Sequence, residues 1–467
     1  MTAFLIALFA LIAGYAIYGK FVESIFKPTD AVTPAIAKND GVDFVPMPTW
    51  KVFLIQLLNI AGLGPIFGAI GGALWGPTIY FWIVLGTIFA GSVHDYLSGM
   101  ISIREDGKSL PEIVGEYLGN TALKVMRVFL VLLMILVGTV FTVGPAGLLR
   151  ALTGVDMTIL LVAILIYYFL ATLLPIDALI GRLYPIFGIC FLIMAFGVMG
   201  GMLFTKSQAM PEMVLANLHP DNLPIWPLMF ITVACGAISG FHATQSPLMA
   251  RCLKSEHLGR PVFYGAMICE GIIALIWAAA GITFYDNTGG LAAALSSQGV
   301  GTVVYNICSG FMGSGIGTAL AMIGVIVCPI TSGDTALRCA RLILSDWFSI
   351  SQEKMNNRLK LALPVIIIAG LITQMDFNVV WRYFAWLNQS LATIVLWTGA
   401  VYLYHKTEGL YYLVPMIPAM FMTMVTTTYI LQAPEGFQLP TEITYPAGAI
   451  FAIVCLIICL KTRMNHH

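Results

Sequence analysis

The sequence predicts an all-α membrane protein that crosses a bilayer about thirteen times. Of its 467 residues, 59% are hydrophobic and only 10% are charged, whereas soluble domains average roughly 45–50% apolar and 25% charged residues. Apolar runs of bilayer-crossing length recur along the whole chain. Lys and Arg residues collect in alternate connections between these runs, as expected when cationic loops stay in the cytoplasm. The composition therefore excludes an ordinary water-soluble fold.

Thirteen apolar runs define the predicted spans, because crossing the hydrocarbon core takes roughly 17–25 helical residues. The runs cover 2–19, 52–70, 77–101, 125–149, 157–174, 184–204, 226–250, 261–284, 315–343, 360–375, 379–404, 409–431 and 445–460. The first run has no cationic start and no small-residue cleavage pattern before Lys20. We therefore expect a retained helix there rather than a signal peptide.

The positions of Lys and Arg orient these spans. Only three of the 23 cationic residues, Arg150, Lys206 and Arg382, lie on the side that the even-numbered spans reach. Because cationic loops are retained in the cytoplasm, the crowded side is predicted to face inward. We expect a multi-pass protein of the cell inner membrane, with its N-terminus outside and its C-terminus in the cytoplasm.

Charge and cysteine content exclude several other classes of protein. The formal net charge is zero, so nothing in the charge balance indicates a nucleic-acid partner. The nine Cys residues fall almost entirely inside apolar runs, without the paired spacing of a zinc site or a disulfide framework. No metal and no organic cofactor is predicted, and the expected surroundings are the lipid bilayer.

Ten of the spans divide into two groups of five that we predict to form an inverted repeat. An odd number of spans in each group turns the second copy upside down in the membrane. Arg150 and Arg338 end the third spans of the two groups, and Arg182 and Arg382 begin the fifth. The predicted organisation is a peripheral helix in 1–26, repeats in 50–204 and 226–404, and two additional helices in 409–461.

The first span of each repeat is interrupted by glycine and proline. The interruptions lie at 61–65 and 239–247, and they end in Pro65 and Pro247. Proline suits the first position of a new helical segment, and Ser246 is a suitable cap for the second segment. The backbone groups that such breaks free are tolerated in a bilayer only against protein or a wet cavity. Each break is therefore a candidate binding site.

The paired breaks predict a site for a carboxylate. Each new segment would point its free N–H groups and positive dipole end into the protein, which favours an anion. We expect Gly62, Gly64, Pro65 and Ser246 to contribute to this substrate site. The alternative is that both breaks are kinks that only improve packing.

Three polar residues of the second break extend the predicted substrate site. His242 can hydrogen-bond a carboxylate and take up a proton near neutral pH. Thr244 and Gln245 can bind the polar part of a substrate. The alternative for all three is that they satisfy the unwound backbone.

A second polar group lies beside the Cys328-Pro329 interruption. Thr331, Ser332, Asp334 and Thr335 concentrate the oxygen atoms that Na⁺ or a transferable proton requires. We predict that they form the ion-coupling site. The competing interpretation is a local ion pair, because Asp334 lies four residues before Arg338.

Three further ionisable residues lie inside spans, where a charge is costly and calls for a partner or a function. His94 and Asp95 are adjacent in the third span, and Glu270 lies near the middle of the eighth. They are candidates for a gate or a proton relay. The alternative for His94 and Asp95 is a structural hydrogen-bond cluster, and the alternative for Glu270 is a structural partner for another helix.

The amides Asn388 and Gln389 follow an aromatic cluster in the eleventh span. Trp and Tyr of that cluster are typical of a membrane interface. The two amides are candidates to line a vestibule.

Four motifs together resemble the carbon starvation protein A family. They read GLGPIFGA at 62–69, GSVHDY at 91–96, GFHATQSP at 240–247 and TSGDT at 331–335. The resemblance covers the chain from about Trp50 to the eleventh span. It implies uptake of peptides or pyruvate, and a relationship to LeuT-like and APC-like transporters built from five-plus-five inverted repeats.

The sequence and the resemblance lead to one functional expectation: a cation-coupled symporter, driven by H⁺ or Na⁺, for a small carboxylate nutrient such as a peptide or pyruvate. A passive channel is one alternative. A membrane-embedded metal-dependent enzyme using His94, Asp95 and His242 is another, disfavoured because no His-x-x-His or Glu-x-x-His spacing is present. The oligomeric state is not predicted.

Overall fold

The computed structural model describes residues 1–40, 44–173, 180–313, 315–352 and 354–462. Within these ranges every element of regular secondary structure is helical, which confirms the all-α fold class. The side chain of Arg182, one of the predicted repeat markers, lies outside the described residues.

Seventeen helices of eight or more residues organise the described chain, besides the short helices Pro34–Ala37 and Ser207–Ala209. They are α1 Thr2–Phe26, α2 Thr49–Ile60, α3 64–75, α4 77–104, α5 Leu110–Leu118, α6 Asn120–Thr153, α7 Met157–Leu173, α8 Ile180–Thr205, α9 225–232, α10 His242–Ala250, α11 Glu256–Phe284, α12 Thr288–Met312, α13 Ile316–Phe348, α14 Met355–Ile372, α15 Phe377–Lys406, α16 Leu413–Gln432 and α17 Thr441–Thr462. The helices α3 and α4 belong to one helical run, Gly64–Arg104, that turns at Gly76, where φ is 75°. That φ is left-handed and favours glycine.

Each predicted span overlaps one helix or, at the two breaks, a pair of helices. Among the described residues, nine helical runs are long and apolar enough to cross a membrane, and α2 and α7 are shorter apolar helices. The number of crossings, the inverted repeat and the four-part division of the chain remain predictions.

Two helices, the short α5 and the 25-residue α12, lie where no span is predicted. The notable one is α12, which is long enough to count as a span. Its sequence is rich in Gly, Ser and Ala, which gives a weaker apolar signal than its neighbours. Gly299 interrupts it with φ 77° and ψ 156°, so α12 consists of two short helices and not one straight rod. It packs against α6, α8 and α13.

The two breaks occupy different positions relative to their prolines. The first runs through 61–63, and Pro65 lies in the first turn of α3, as predicted. The second runs through 233–241, and α10 begins at His242, which places Pro247 inside the helix. The expectation that Pro247 starts this segment and that Ser246 caps it was therefore wrong. The helix begins earlier because Asn388 of α15 accepts a hydrogen bond from the Phe241 N–H and so caps α10 at that point.

The surface of the outer helices is apolar. Phe9 and Ile17 of α1 are 70% and 73% exposed, and Ile450 and Ile458 of α17 are both 61% exposed. Soluble proteins rarely expose apolar surface this continuously. These faces are the ones that lipid would cover. The interior is built on the pairs α6 with α13 and α13 with α8, while α10 packs between α4 and α2.

Candidate functional site

The two broken helices touch at their breaks. A Cβ added to Gly64 would lie 2.0 Å from Cys235 Cβ, and one added to Gly236 would lie 3.6 Å from Pro65 Cα. A Cβ on Gly62 would lie 2.4 Å from the Phe141 ring. Both glycines predicted for the substrate site are thus needed for close packing between helices. Their contact with a substrate remains a prediction.

Side chains of α13 close the first break. The Cys328 thiol donates toward the carbonyl oxygens of Leu58 and Ala61 at 3.3 and 3.2 Å. The Ser332 hydroxyl lies 3.4 Å from the carbonyl oxygen of Leu58 and 3.3 Å from that of Asn59. These carbonyls stand at the end of α2, where a helix lacks its own donors. Ser332 therefore faces the break.

The other members of the predicted ion-coupling group have different partners. Asp334 Oδ1 lies 3.6 Å from Arg338 Nη2, and Arg338 also donates to the Ala171 carbonyl of α7. The Thr331 and Thr335 hydroxyls donate within α13, at 2.8 and 3.0 Å. The local ion pair considered from the sequence is thus present. The structure divides the group, with only Ser332 against the break and Asp334 toward α7.

The amides of α15 hold the second break. The Asn388 carboxamide oxygen accepts from the Phe241 N–H at 2.7 Å, and its backbone carbonyl accepts from the Gly240 N–H at 3.0 Å. The Gln389 carboxamide donates to the carbonyls of Phe230 and Val233. Both amides are fully buried, so the expectation that they line a vestibule was wrong. They replace the hydrogen bonds that the broken helix lost.

Four ionisable side chains form a continuous chain beside the second break. His94 Nδ1 lies 2.8 Å from Asp95 Oδ1, and His242 Nδ1 lies 3.0 Å from Asp95 Oδ2. The other ring nitrogen, His242 Nε2, lies 3.3 Å from Glu270 Oε2. All four side chains are 0% exposed. The structure thus unites three predicted relay residues with His242, which was predicted for substrate binding.

Two hydrogen bonds to Asp95 restrict the protons of this relay cluster, which consists of His94, Asp95, His242 and Glu270. With Asp95 ionised, its two oxygens only accept, so both imidazole Nδ1 atoms carry hydrogen. The approach of His242 Nε2 to Glu270 Oε2 at 3.3 Å is not a formed hydrogen bond among the described residues. A hydrogen bond between these two atoms would need one proton, carried by Nε2 if Glu270 is ionised or by Glu270 if His242 is neutral.

The charge of the relay cluster follows from this count. With one shared proton and a neutral His94, the cluster carries one negative charge because Asp95 is ionised. A second proton makes the cluster neutral, with an imidazolium between a carboxylate and a carboxylic acid. Since an unbalanced buried charge is costly, uptake of one proton relieves the charge imbalance. That the cluster binds and releases a proton remains a prediction.

The remaining predicted substrate residues line the region around α10. Thr244 donates to the Phe241 carbonyl at 2.8 Å and accepts from Gln245 Nε2 at 2.8 Å. Ser246 accepts from Gln56 Nε2 at 3.0 Å. The carboxamide oxygens of Gln56, Asn59 and Gln245 are buried and have no hydrogen-bond partner among the described residues. These three oxygens are free to accept from a ligand.

Gln56 and Asn59 were missed by the sequence reasoning. Both lie on α2, directly before the first break, in the otherwise apolar stretch 52–60. Two amides in a run of bilayer-crossing hydrophobicity are the signal that could have found them.

A cavity of about 260 Å³ opens beside α10 on the side predicted to be cytoplasmic. It is bounded by α5, α6, α10 and α13. Its polar lining comprises Ser109, Glu112, Arg127, Thr244, Arg251 and Asp346. Thr244 is the predicted substrate residue that this cavity reaches.

The geometry offers no evident metal centre. In the described part of the chain, no three His, Cys, Asp or Glu side chains converge as metal ligands would. The relay cluster is a line and not a convergent shell, since its members meet pairwise.

One protein-family model matches most of the chain. The family model described as carbon starvation protein CstA matches residues 1–149, 145–287 and 278–429. An uncharacterized membrane protein of Haemophilus influenzae is 42% identical over an alignment that covers 64% of this chain and 95% of that protein. Together these matches extend from α1 into α16.

Several more distant relatives carry transporter names, and two of them represent the two substrate classes. The peptide transporter CstA of Bacillus subtilis is 30% identical, over 58% of this chain and 56% of that protein. The pyruvate/proton symporter BtsT of Escherichia coli K12 is 27% identical, over 57% of this chain and 46% of that protein. The chain thus spans about half the length of these two transporters. Both names describe carriers, which agrees with the expectation that this chain is not an enzyme.

The fold is shared with solved transporter structures. The manganese transporter of Eremococcus coleocola superposes with a TM-score of 0.51 at 10% identity, over 91% of this chain and 97% of that one. At this identity the likeness concerns the arrangement of helices alone.

Proposed function

Because the chain belongs to the carbon starvation protein CstA family, we propose that it is a secondary active transporter importing a small carboxylate-bearing nutrient together with a proton. The peptide and pyruvate/proton names of two relatives support these substrate classes. The proposed substrate is a peptide or pyruvate, and the proposed setting is the cell inner membrane.

The substrate site in this proposal lies where the two broken helices meet. The first turns of α3 and α10 both begin there, and a helix N-terminus favours an anion. The carboxamide oxygens of Gln56, Asn59 and Gln245 lack partners and suit the ammonium group of a peptide. His242, the member of the relay cluster at the start of α10, stands between this region and its partners Asp95 and Glu270.

Proton coupling rests on one observation: the fully buried contact between His242 and Glu270, 3.3 Å apart and shared with Asp95. A proton that enters this pair changes the charge of His242 or Glu270 beside the start of α10. A substrate carboxylate would then be bound more tightly, because the nearby cluster has lost its negative charge. Binding of substrate and proton thus reinforce each other, as symport requires.

Sodium coupling at Ser332 is a second candidate. Ser332 faces the carbonyl oxygens of Leu58 and Asn59, and oxygen atoms are the ligands that Na⁺ prefers. The predicted partner Asp334 is paired with Arg338 on another side of α13. The proton mechanism is therefore the one that we favour.

Transport would proceed by alternating access, with one five-span group moving against the other around the breaks. The cavity beside Thr244 is the proposed cytoplasmic half of the route. Its lining carries Arg127 and Arg251 together with the acidic residues Glu112 and Asp346. The two Arg side chains would contact a carboxylate on this route, while the acidic side chains limit the net attraction.

The test is uptake by the purified chain in proteoliposomes. Labelled pyruvate and a labelled dipeptide are each supplied with an inward proton gradient, an inward sodium gradient, or neither. We expect accumulation above the external concentration with the proton gradient alone. Glu270→Gln should abolish accumulation, since the amide cannot release a proton, while substrate exchange without a gradient persists.

Two outcomes would contradict the proposal. Accumulation driven by sodium and not by protons would indicate that the coupling ion is Na⁺ and binds near Ser332. Equilibration without accumulation under every gradient would indicate a passive channel.

A further inference from the structure

The contacts of one amide on α15 connect the unwound segment 233–241 to the relay cluster. Asn388 is 0% exposed and lies beside the end of this segment. Its carboxamide oxygen accepts from the Phe241 N–H at 2.7 Å. Its carboxamide nitrogen lies 3.0 Å from Ser239 Oγ and 3.3 Å from Cys235 Sγ.

The backbone of Asn388 takes part as well. Its carbonyl accepts from the Gly240 N–H at 3.0 Å. A Cβ on Gly240 would lie 2.4 Å from that carbonyl oxygen, so only glycine permits this approach. One residue of α15 therefore binds Cys235, Ser239, Gly240 and Phe241 of the break.

The amide of Phe241 directly precedes His242, the first residue of α10. A side chain that accepts from an amide at a helix start acts as an N-cap. The structure places no side chain of α10 itself in that role. Asn388 thus caps α10 from a different helix and fixes where the helix begins.

The position of the His242 ring depends on where α10 begins. Its ring must reach Asp95 Oδ2 at 3.0 Å through Nδ1 and Glu270 Oε2 at 3.3 Å through Nε2. Both partners belong to other helices, α4 and α11, so a shift at the start of α10 would lengthen one contact or both.

We propose that Asn388 is a positioning residue that sets the proton affinity of the His242–Glu270 pair by capping α10, an inference that rests on the proposed proton coupling. Asn is suited to this role because its oxygen accepts from the Phe241 N–H while its nitrogen donates to Ser239. The titratable groups around His242 are Asp95 and His94 from α4, Glu270 from α11 and Cys235 from the break itself. Neither α2 nor α15 adds a charged group there.

The chain offers a matched control in the next residue. Gln389 is equally buried and holds the same broken span, but it binds the carbonyls of Phe230 and Val233 at the other end of the break. Replacing Gln389 disturbs the end of α9 and leaves the cap of α10 in place. Asn388→Leu and Gln389→Leu therefore separate positioning of His242 from general support of the break.

The first measurement is hydrogen–deuterium exchange of the segment 239–250 in detergent-purified protein. Asn388→Leu should raise exchange there, because the Phe241 amide and the first turn of α10 lose their cap. Gln389→Leu and Asn388→Asp, which keeps the accepting oxygen, should leave this segment protected. Unchanged exchange in Asn388→Leu would overturn the inference, whether or not the protein transports.

The second measurement is the pH profile of substrate uptake in proteoliposomes. We expect Asn388→Leu to move the midpoint of the profile by about one pH unit, because a longer contact from His242 to Asp95 or Glu270 would weaken an interaction worth about as much as one buried hydrogen bond. Gln389→Leu should lower the rate without moving the midpoint. A shared midpoint for wild type and Asn388→Leu would overturn the positioning role, whereas a wild type without proton-dependent uptake would instead overturn the proposed function.

Discussion

At the scale of single residues, the packing at the centre of the molecule depends on two glycines that have no side chain. Gly64 leaves room for Cys235, and Gly240 leaves room for the Asn388 carbonyl. Where no side chain intervenes, two unwound backbones can come within contact of each other and of α15. The relay cluster occupies the remaining space, with each carboxylate facing an imidazole. Close backbone contact and buried ionisable groups thus share one small volume.

Replacing Gly64 should test this close contact. Gly64→Ala would bring a Cβ to 2.0 Å from Cys235 Cβ, and overpacking of a tight core costs about 1–3 kcal/mol. We expect a lower Tm in detergent and reduced uptake. The control is Gly200→Ala in α8, where no atom lies within 4 Å of the added Cβ. Equal Tm values for the two variants would contradict the contact.

At the scale of elements, breaks in two helices are stabilised by unbroken ones. The helix α13 offers Cys328 and Ser332 to the carbonyls that end α2, while α15 offers Asn388 and Gln389 to the backbone of the second break. Freed backbone groups in a membrane must find protein partners. These four side chains supply them. The breaks are therefore defined positions and not regions of general flexibility.

The cavity beside α10 gives a prediction at the same scale. Arg127 lines it, whereas Lys124, one turn earlier on α6, lies outside it. Arg127→Gln should slow pyruvate exchange about fivefold, equivalent to losing about 1 kcal/mol of attraction for the carboxylate. Lys124→Gln removes the same charge outside the route and should stay near the wild-type rate. Equal slowing by both variants would mean that only the general surface potential matters.

The sequence predicts the elements of the site better than its contacts. Glycine, proline and apolar length locate both breaks, and the cost of buried charge singles out His94, Asp95, His242 and Glu270. Their union does not follow from the sequence, because α4, α10 and α11 meet only through tertiary packing. The sequence-based prediction also misplaced the start of α10. The cap comes from Asn388, which is 147 residues from Phe241 in the sequence and reaches it only through tertiary packing. Local propensity alone would have favoured the proline.

At the scale of the whole molecule, the helices form one all-α assembly with an apolar outer surface. Exposed side chains such as Phe9 and Ile450 lie on its periphery, while ionisable groups collect at its centre. The arrangement of helices resembles a solved manganese transporter over 91% of the chain.

The predicted orientation can be tested on the same scale. Glu408 and Gln208 are exposed and lie in connections predicted to face opposite sides. Glu408→Cys should react with an impermeant thiol reagent only after the membrane is opened, and Gln208→Cys should react on intact cells. The nine native Cys are buried or half-buried, which keeps the background low. Reaction of both positions on intact cells would reject the predicted topology.

The charge of the relay cluster has an electrical consequence. In the proposed mechanism the cluster carries one negative charge without the extra proton and none with it. A carrier loaded with a proton and a monoanion such as pyruvate then moves with the same charge as the empty carrier, so the cycle is electroneutral. With a zwitterionic dipeptide the cycle moves one positive charge inward, and 100 mV of membrane potential contributes about 2.3 kcal/mol. Voltage would therefore accelerate peptide uptake and leave pyruvate uptake unchanged.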